Sequence, residues 1–174
     1  FCLYSLSRGI VAVSREIHHA DAYAISRKEV PSPTKKKKSG VPDCNAKNVA
    51  LSLTPAASSL GVGGSMDFTT DIKYDGSSKV GCLVDISASN VVLTIKSGDD
   101  VIWKSNVCPV DADYRLLAKG DKVKQTITWP GTRTGSECVE ESTLPKVDRG
   151  VYSAQLSIEG HPKAKSDPVG ITVE

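Results

Sequence analysis

Apolar and polar residues alternate with a period of two through much of residues 44–174. Met66, Phe68, Thr70, Ile72 and Tyr74 take every second position and stop at a turn cluster, Asp75-Gly76-Ser77-Ser78. Such spacing puts one face of a β-strand on a core and the other in water. Val49, Leu51 and Leu53 predict an earlier strand over Lys47 to Thr54, before Pro55. Tyr152, Ala154, Leu156 and Ile158 predict a later one after Arg149-Gly150, and Val169, Ile171 and Val173 the last. Another strand is expected from Cys82 to Ile86, interrupted by Ser87-Ala88-Ser89-Asn90.

The middle of the chain, Ser89 to Trp129, carries the densest pattern. Val91–Ile95 and Val101–Ser105 flank Ser97-Gly98-Asp99-Asp100, a Gly/Asp joint suited to a short hairpin turn. A third run, Lys122 to Trp129, sets Val123, Gln125, Ile127 and Trp129 on one face and Lys122, Lys124, Thr126 and Thr128 on the other. Between them, Ser105 to Lys119 reads as an irregular link, and Lys119-Gly120-Asp121 as a turn. Pro130 to Asp148, polar and punctuated by Gly131, Gly135 and Pro145, is expected to be the longest loop. Short strands, frequent turn signals and no long amphipathic helix predict an all-β, antiparallel β-sandwich of about 7–9 strands.

Residues 1–43 follow different rules. Residues 13–25 predict at most a weak helix, and Pro31-Ser32-Pro33-Thr34-Lys35-Lys36-Lys37-Lys38-Ser39-Gly40-Val41-Pro42 is a linker, because proline and like charges keep it extended. The domain boundary is placed at 43/44, with a flexible basic tail before it. Lys35, Lys36, Lys37 and Lys38 read first as a solvated spacer; they also have the chemistry to contact an anionic surface. The longest apolar run in this part, Gly9 to Val13, falls far short of the ~20 residues a membrane span requires. It carries no recognisable signal peptide, and since the chain starts at Phe1 rather than Met, this leaves secretion through lost upstream sequence open.

Composition sharpens the picture in two places. Aromatic residues make up only 5% of the chain, so the core must be mostly Val, Ile and Leu. The net charge of +2 divides unevenly: residues 1–43 hold 8 Lys/Arg against 4 Asp/Glu, leaving 14 against 16 in the body. A slightly acidic body lacks the basic stripe that a phosphate backbone demands, and no nucleic-acid partner is expected. Cys44, Cys82, Cys108 and Cys138 are widely spaced, with no C-x-x-C pair, which predicts two disulfides and an oxidising compartment over a zinc site. Three pairings are open to four cysteines. Cys2 is left over.

Catalytic chemistry finds little footing. The body has one histidine, His161, in Gly160-His161-Pro162, which reads as an exposed turn, and no G-x-S-x-G elbow. His18 and His19 are adjacent and diverge on a helix, so they do not form a chelating pair. Asp99/Asp100, Asp111/Asp113 and Glu140/Glu141 sit in polar turns, and Asp111-Ala112-Asp113 fails the calcium-loop pattern because Arg115 and Leu116 occupy its next positions. Gly61-Val62-Gly63-Gly64 lacks the third glycine and the lysine of a phosphate loop, and reads as a plain connection. Neither catalysis nor a cofactor or metal is expected. Trp129 and Trp103 both read as core; an exposed Trp103 would mark a recognition surface.

Two resemblances add to this reading. Asn90-Val91-Val92-Leu93, Ser97-Gly98-Asp99, Val101-Ile102-Trp103-Lys104-Ser105, Leu116 to Gly120, Lys122 to Trp129 and Gly150-Val151-Tyr152 resemble the intracellular proteinase inhibitor family of bacilli, over roughly residues 66–160. Cys44, Gly81-Cys82, Trp103-Lys104-Ser105 with Cys108, Thr128-Trp129 with Thr132-Arg133, Cys138 and Gly150-Val151-Tyr152 more closely resemble cell-envelope proteins of actinobacteria that join an N-terminal anchor and linker to a four-cysteine Ig-like domain, over about residues 44–174. Both imply an Ig-like sandwich. The second also implies the pairs Cys44 with Cys82 and Cys108 with Cys138. Each would close a loop of 30 to 40 residues, stabilising by roughly 3–4 kcal/mol on chain-entropy grounds.

The resulting expectation is a non-enzymatic, extracytoplasmic interaction module of the bacterial cell envelope, secreted or anchored through upstream sequence. Its partner would be an envelope protein, a wall polymer or a membrane surface. The alternative, from the bacillary likeness, is a proteinase inhibitor acting through an exposed loop such as Pro130 to Pro145.

Overall fold

The computed structural model describes residues 40–174. The weak helix expected at 13–25, Cys2, His18, His19 and Lys35, Lys36, Lys37 and Lys38 lie outside those residues. The compact unit starts at Gly40. Pro42 and Asp43, which composition assigns to the linker and tail, are already bonded into it. The Leu83 N–H donates to Pro42 O and the Cys44 N–H to Leu83 O, both at 2.9 Å. A proline serves here because only its carbonyl is needed.

Eleven strand segments follow: β1 (Val49–Pro55), β2 (Ser59–Leu60), β3 (Met66–Tyr74), β4 (Cys82–Asp85), β5 (Val91–Ser97), β6 (Asp100–Lys104), β7 (Tyr114–Leu117), β8 (Lys122–Trp129), β9 (Gly150–Ile158), β10 (His161–Lys165) and β11 (Val169–Val173). One sheet runs β1-β3-β8 and faces a second, β2-β11-β9-β5-β6, with β10 branching from β9. All pairings between these strands are antiparallel except the short β2, which runs parallel to β11. In the lettering of immunoglobulin domains this is A-B-E against A′-G-F-C-C′, so the fold is an Ig-like β-sandwich. A separate ribbon, β4-β7, is inserted into that plan.

The alternating residues are the ones buried between the sheets. Met66, Phe68, Thr70, Ile72 and Tyr74 of β3 all point inward, as do Leu93 and Ile95 of β5, Tyr152, Ala154, Leu156 and Ile158 of β9, and Ile171 and Val173 of β11. Each large aliphatic or aromatic side chain buried this way stabilises by about 1.5–3 kcal/mol. The central hairpin closes with Ser97 opposite Asp100, so Gly98 and Asp99 form a two-residue turn. Gly98 has φ +60 while Asp99 stays negative, the arrangement of a II′ turn.

Three strands depart from the sequence expectation. β2 is two residues long and has no period to detect. β10 contains Pro162 and buries only Ala164, which fits a sheet margin where a missing donor costs little. His161 therefore opens a strand and is half-buried; the turn is Glu159-Gly160. β7 lies in the link that reads as irregular, because of its four residues only Leu117 is buried.

Besides its ladder with β4, β7 has its entry fixed by a carboxylate. Asp85, at the end of β4, accepts the backbone N–H of Ser87 at 2.9 Å and of Asp113 at 3.0 Å. Burial works against the charge, but these N–H donors outweigh it and hold the carboxyl below its ordinary range. A depressed folded value means the stabilisation is complete above the ordinary carboxylate pKa, ~3.9, and is lost as pH falls through the folded value. Asp85→Asn should therefore be less stable than wild type at pH 7, and the difference should be constant down to about pH 4 and shrink below it. Urea unfolding of both proteins between pH 2 and 8 checks this; a difference that does not change with pH refutes it.

Candidate functional site

The longest loop is built from a tight neck and an exposed tip. Trp129 ends β8 fully buried, donates its indole N–H to Thr132 O at 3.0 Å, and packs against Tyr152 at 5.8 Å between ring centroids. Tyr152, near the start of β9, donates its hydroxyl back to Asp148 O at 2.8 Å, the tyrosine-corner arrangement of Ig-like domains. Burial, with the Asp148 carboxylate nearby, pushes the phenol up despite Arg133, so it stays a donor. Between these anchors Val147 N–H bonds Gly131 O and Arg133 N–H bonds Pro145 O. Gly131 has φ +65 and lies so close to the Gly64 carbonyl that a Cβ would overlap it. The Gly61–Gly64 connection thus braces the neck.

Beyond the neck the loop folds over the edge of β6. Thr134 N–H donates to Ile102 O at 3.0 Å and Lys104 N–H to Thr134 Oγ1 at 3.2 Å. Arg133 reaches Asp100 with contacts of 2.8 and 3.0 Å. That ion pair is exposed and adds little stability, but it fixes where the loop lies. Cys138 is joined to Cys108, and Glu141–Thr143 forms a single 3-10 turn.

This packing encloses a cavity of about 170 Å³ whose apolar wall is Trp103, Val107, Pro130, Val139 and Leu144. Lys104, Glu137 and Glu141 bring charge to its lining. Trp103 is buried, 8% exposed, yet it faces this space. It is therefore both core and a lining residue, a combination a single strand pattern does not reveal. Val107, Thr134, Val139 and Leu144 carry no signal of their own; the loop expected over Pro130 to Asp148 and the resemblance that pairs Cys108 with Cys138 pointed to a structure here.

Of the three pairings open to the four cysteines, the structure takes Cys44–Cys82 and Cys108–Cys138. The first is buried, Cys44 at 2% and Cys82 at 0%, and staples the start of the domain to β4. The second is exposed and ties two walls of the cavity. The other acidic pairs are dispersed: Asp100 engages Arg133, and Asp113 engages Arg115 at 2.9 Å. Among the described residues no group of three His, Cys, Asp or Glu side chains is arranged to hold a metal, and no helix is long and apolar enough to cross a membrane. Two further concavities lie where β1 starts and β9 finishes. One is a groove between Asn45–Lys47 and Gly160–Lys163, the other a polar hollow including Asp43, Asp85, Glu159 and His161.

No protein-family model matches the chain, and no curated protein does. Solved structures show partial similarity to the chain. A β-glucosidase from Erythrobacter marinus is 12% identical with a TM-score of 0.47, covering 72% of this chain and 15% of that one. The CARDB domain of a Pyrococcus furiosus protein, solved with di-metal ions, is 9% identical with a TM-score of 0.40, covering 79% and 97%. Sporulation control protein Spo0M of Bacillus subtilis is 14% identical with a TM-score of 0.41, covering 73% and 49%. The chain thus spans about 15% of the glucosidase's length.

Two predictions follow from the neck and the cavity wall. Tyr152→Phe leaves the Asp148 carbonyl without its donor and should cost about 1 kcal/mol, roughly 3 °C in thermal midpoint; an unchanged midpoint means the corner is not a stabilising bond. Under graded reductant in native buffer, Cys108 and Cys138 should be alkylated first with the fold intact, and Cys44 and Cys82 only on unfolding. Peptide mapping reads the order, and the reverse order contradicts it.

Proposed function

We propose that this protein is a non-enzymatic, extracytoplasmic interaction module, and that its recognition surface is the side of the sandwich closed by the Cys108–Cys138 loop. The observation that carries this reading is the pair of disulfides in a small Ig-like sandwich. Such bonds persist in oxidising compartments and are rare where thiols are kept reduced. One of them is spent on a surface loop that encloses an apolar cavity with a charged rim, which suits recognition better than core stability. Loops at the margins of Ig-like domains commonly bind partners in this way. The partner class is an envelope protein, in line with the envelope-protein resemblance; wall polymer and membrane surface are the competing outcomes.

The test is expression of the full chain behind an export signal, followed by alkylation and capture from an envelope fraction, wall polymer and anionic vesicles. The expected result is no reactive thiol at Cys44, Cys82, Cys108 or Cys138, and a captured protein that Trp103→Ala or Val139→Asp releases. A stably folded protein with all four thiols alkylatable overturns the compartment. Capture of polymer or vesicles alone overturns the partner class.

A further inference from the structure

In the lettering used above, β8 is strand E, which in many Ig-like domains is flanked by a strand D. Here the segment that precedes β8, β7, pairs with β4 instead. Among the described residues β8 has β3 as its one strand partner. The Tyr74 N–H donates to Asp121 O, which fixes the parity of the β3–β8 ladder. Ladder bonds then fall at Val123, Gln125, Ile127 and Trp129, and the N–H and C=O of Lys122, Lys124, Thr126 and Thr128 point away from β3. No other backbone hydrogen bond among the described residues reaches those four. The contrast with β6 is direct, since its margin is covered by Thr134.

An open backbone edge is specific in what it can accept: an extended strand, which supplies alternating donors and acceptors at the same spacing. The four residues with outward backbone groups also have exposed side chains. Lys122 and Lys124 are among them, and Lys122 Nζ, though 3.5 Å from Asp71, leaves half its side chain open. Edge lysines set like charges against each other when two copies approach, which disfavours self-pairing. The same lysines favour a strand bearing carboxylates. At the C-terminal end of the edge, Thr128 and Pro130 form part of the wall of the Trp103 cavity. Its volume of about 170 Å³ lies below the ~300–1,000 Å³ of small-molecule pockets. It matches a single large side chain.

We infer that the open edge of β8 and the adjoining Trp103 cavity together accept an extended acidic peptide strand of a partner protein, with carboxylates beside Lys122 and Lys124 and one apolar side chain in the cavity. This rests on the interaction-module reading and names its ligand. The exposed disulfide has a role in it, since Cys108–Cys138 holds Val107 and Val139 on either side of the cavity that receives the anchor.

The test titrates the full chain with a synthetic seven-residue probe that alternates glutamate with valine and ends in phenylalanine, made in both sequence orders. The control probe has lysine for glutamate. The acidic probe should shift the amide signals of Lys122, Lys124, Thr126 and Thr128, slow their exchange, and perturb the Trp103 indole. Thr126→Pro removes an outward N–H without taking a ladder bond, and should weaken binding at least about tenfold with the thermal midpoint kept. Lys124→Glu should transfer the preference to the lysine probe. Should Thr126→Pro disturb the fold, N-methylation of alternate probe amides decides the matter on wild type, where undiminished binding overturns the strand. Probe binding without β8 amide shifts, or equal binding by folded Thr126→Pro, also overturns it. An envelope partner that folded Thr126→Pro still captures leaves the module standing and removes the edge from it; the absence of any captured partner removes the module reading, while the titration still decides the edge.

Discussion

The contact between Trp129 and Tyr152 is the constraint on which the rest of the site depends. Trp129 closes β8 in one sheet and Tyr152 opens β9 in the other, so their rings join the two layers at one end of the sandwich. Both have polar atoms that a buried aromatic must satisfy, and both reach the same connection. The indole N–H takes Thr132 O just after β8, and the phenol takes Asp148 O just before β9. Core packing therefore determines where a long surface loop leaves the fold and where it returns. Only with its neck held in this way can the tip lie across β6 and enclose a cavity beside Trp103.

Strands with a sustained alternation were legible in the chain, including β8, whose inward face is mostly half-buried, and those without one were not. β3, with five inward positions in nine, is legible end to end, and β9 and β11 nearly so. β7 and β10 each bury one residue, Leu117 and Ala164, and no period can be read from a single position. They are held instead by backbone partners and local side chains. Asp85 does this for β7, while Ser166, just after β10, accepts from Leu156 N–H through its hydroxyl at 2.9 Å where β9 changes partner from β10 to β11. The site was legible only in outline. Trp103 and the four cysteines stood out, but the cavity is formed by two separate stretches, Trp103 to Cys108 and Thr128 to Leu144, that meet because of a turn, a neck and a disulfide.

The two disulfides divide between fold and surface along the same line. Cys44–Cys82 is sealed in the core and fixes the first residues of the domain against β4, work that apolar packing at a chain entry does poorly. Cys108–Cys138 sits in the open and closes a 30-residue separation around β7 and β8. It buries little of its own, so its contribution is restriction of the loop ensemble, which favours a single shape for whatever meets the cavity.

The insertion of β7 connects these features. A sandwich edge can be filled, covered or charged, and this molecule uses a different device on each side. At β6 the cover is the Trp129-anchored loop. At β8 the segment that precedes it pairs with β4, its entry bonded to Asp85, and the margin carries lysines in place of a neighbouring strand. Had β7 lain beside β8 as a hairpin, its four residues could have satisfied the backbone groups of Lys122 and Lys124. Diverting one short strand thus leaves a polar backbone edge and an apolar recess side by side, with lysines on that edge whose like charges disfavour pairing with its own copy.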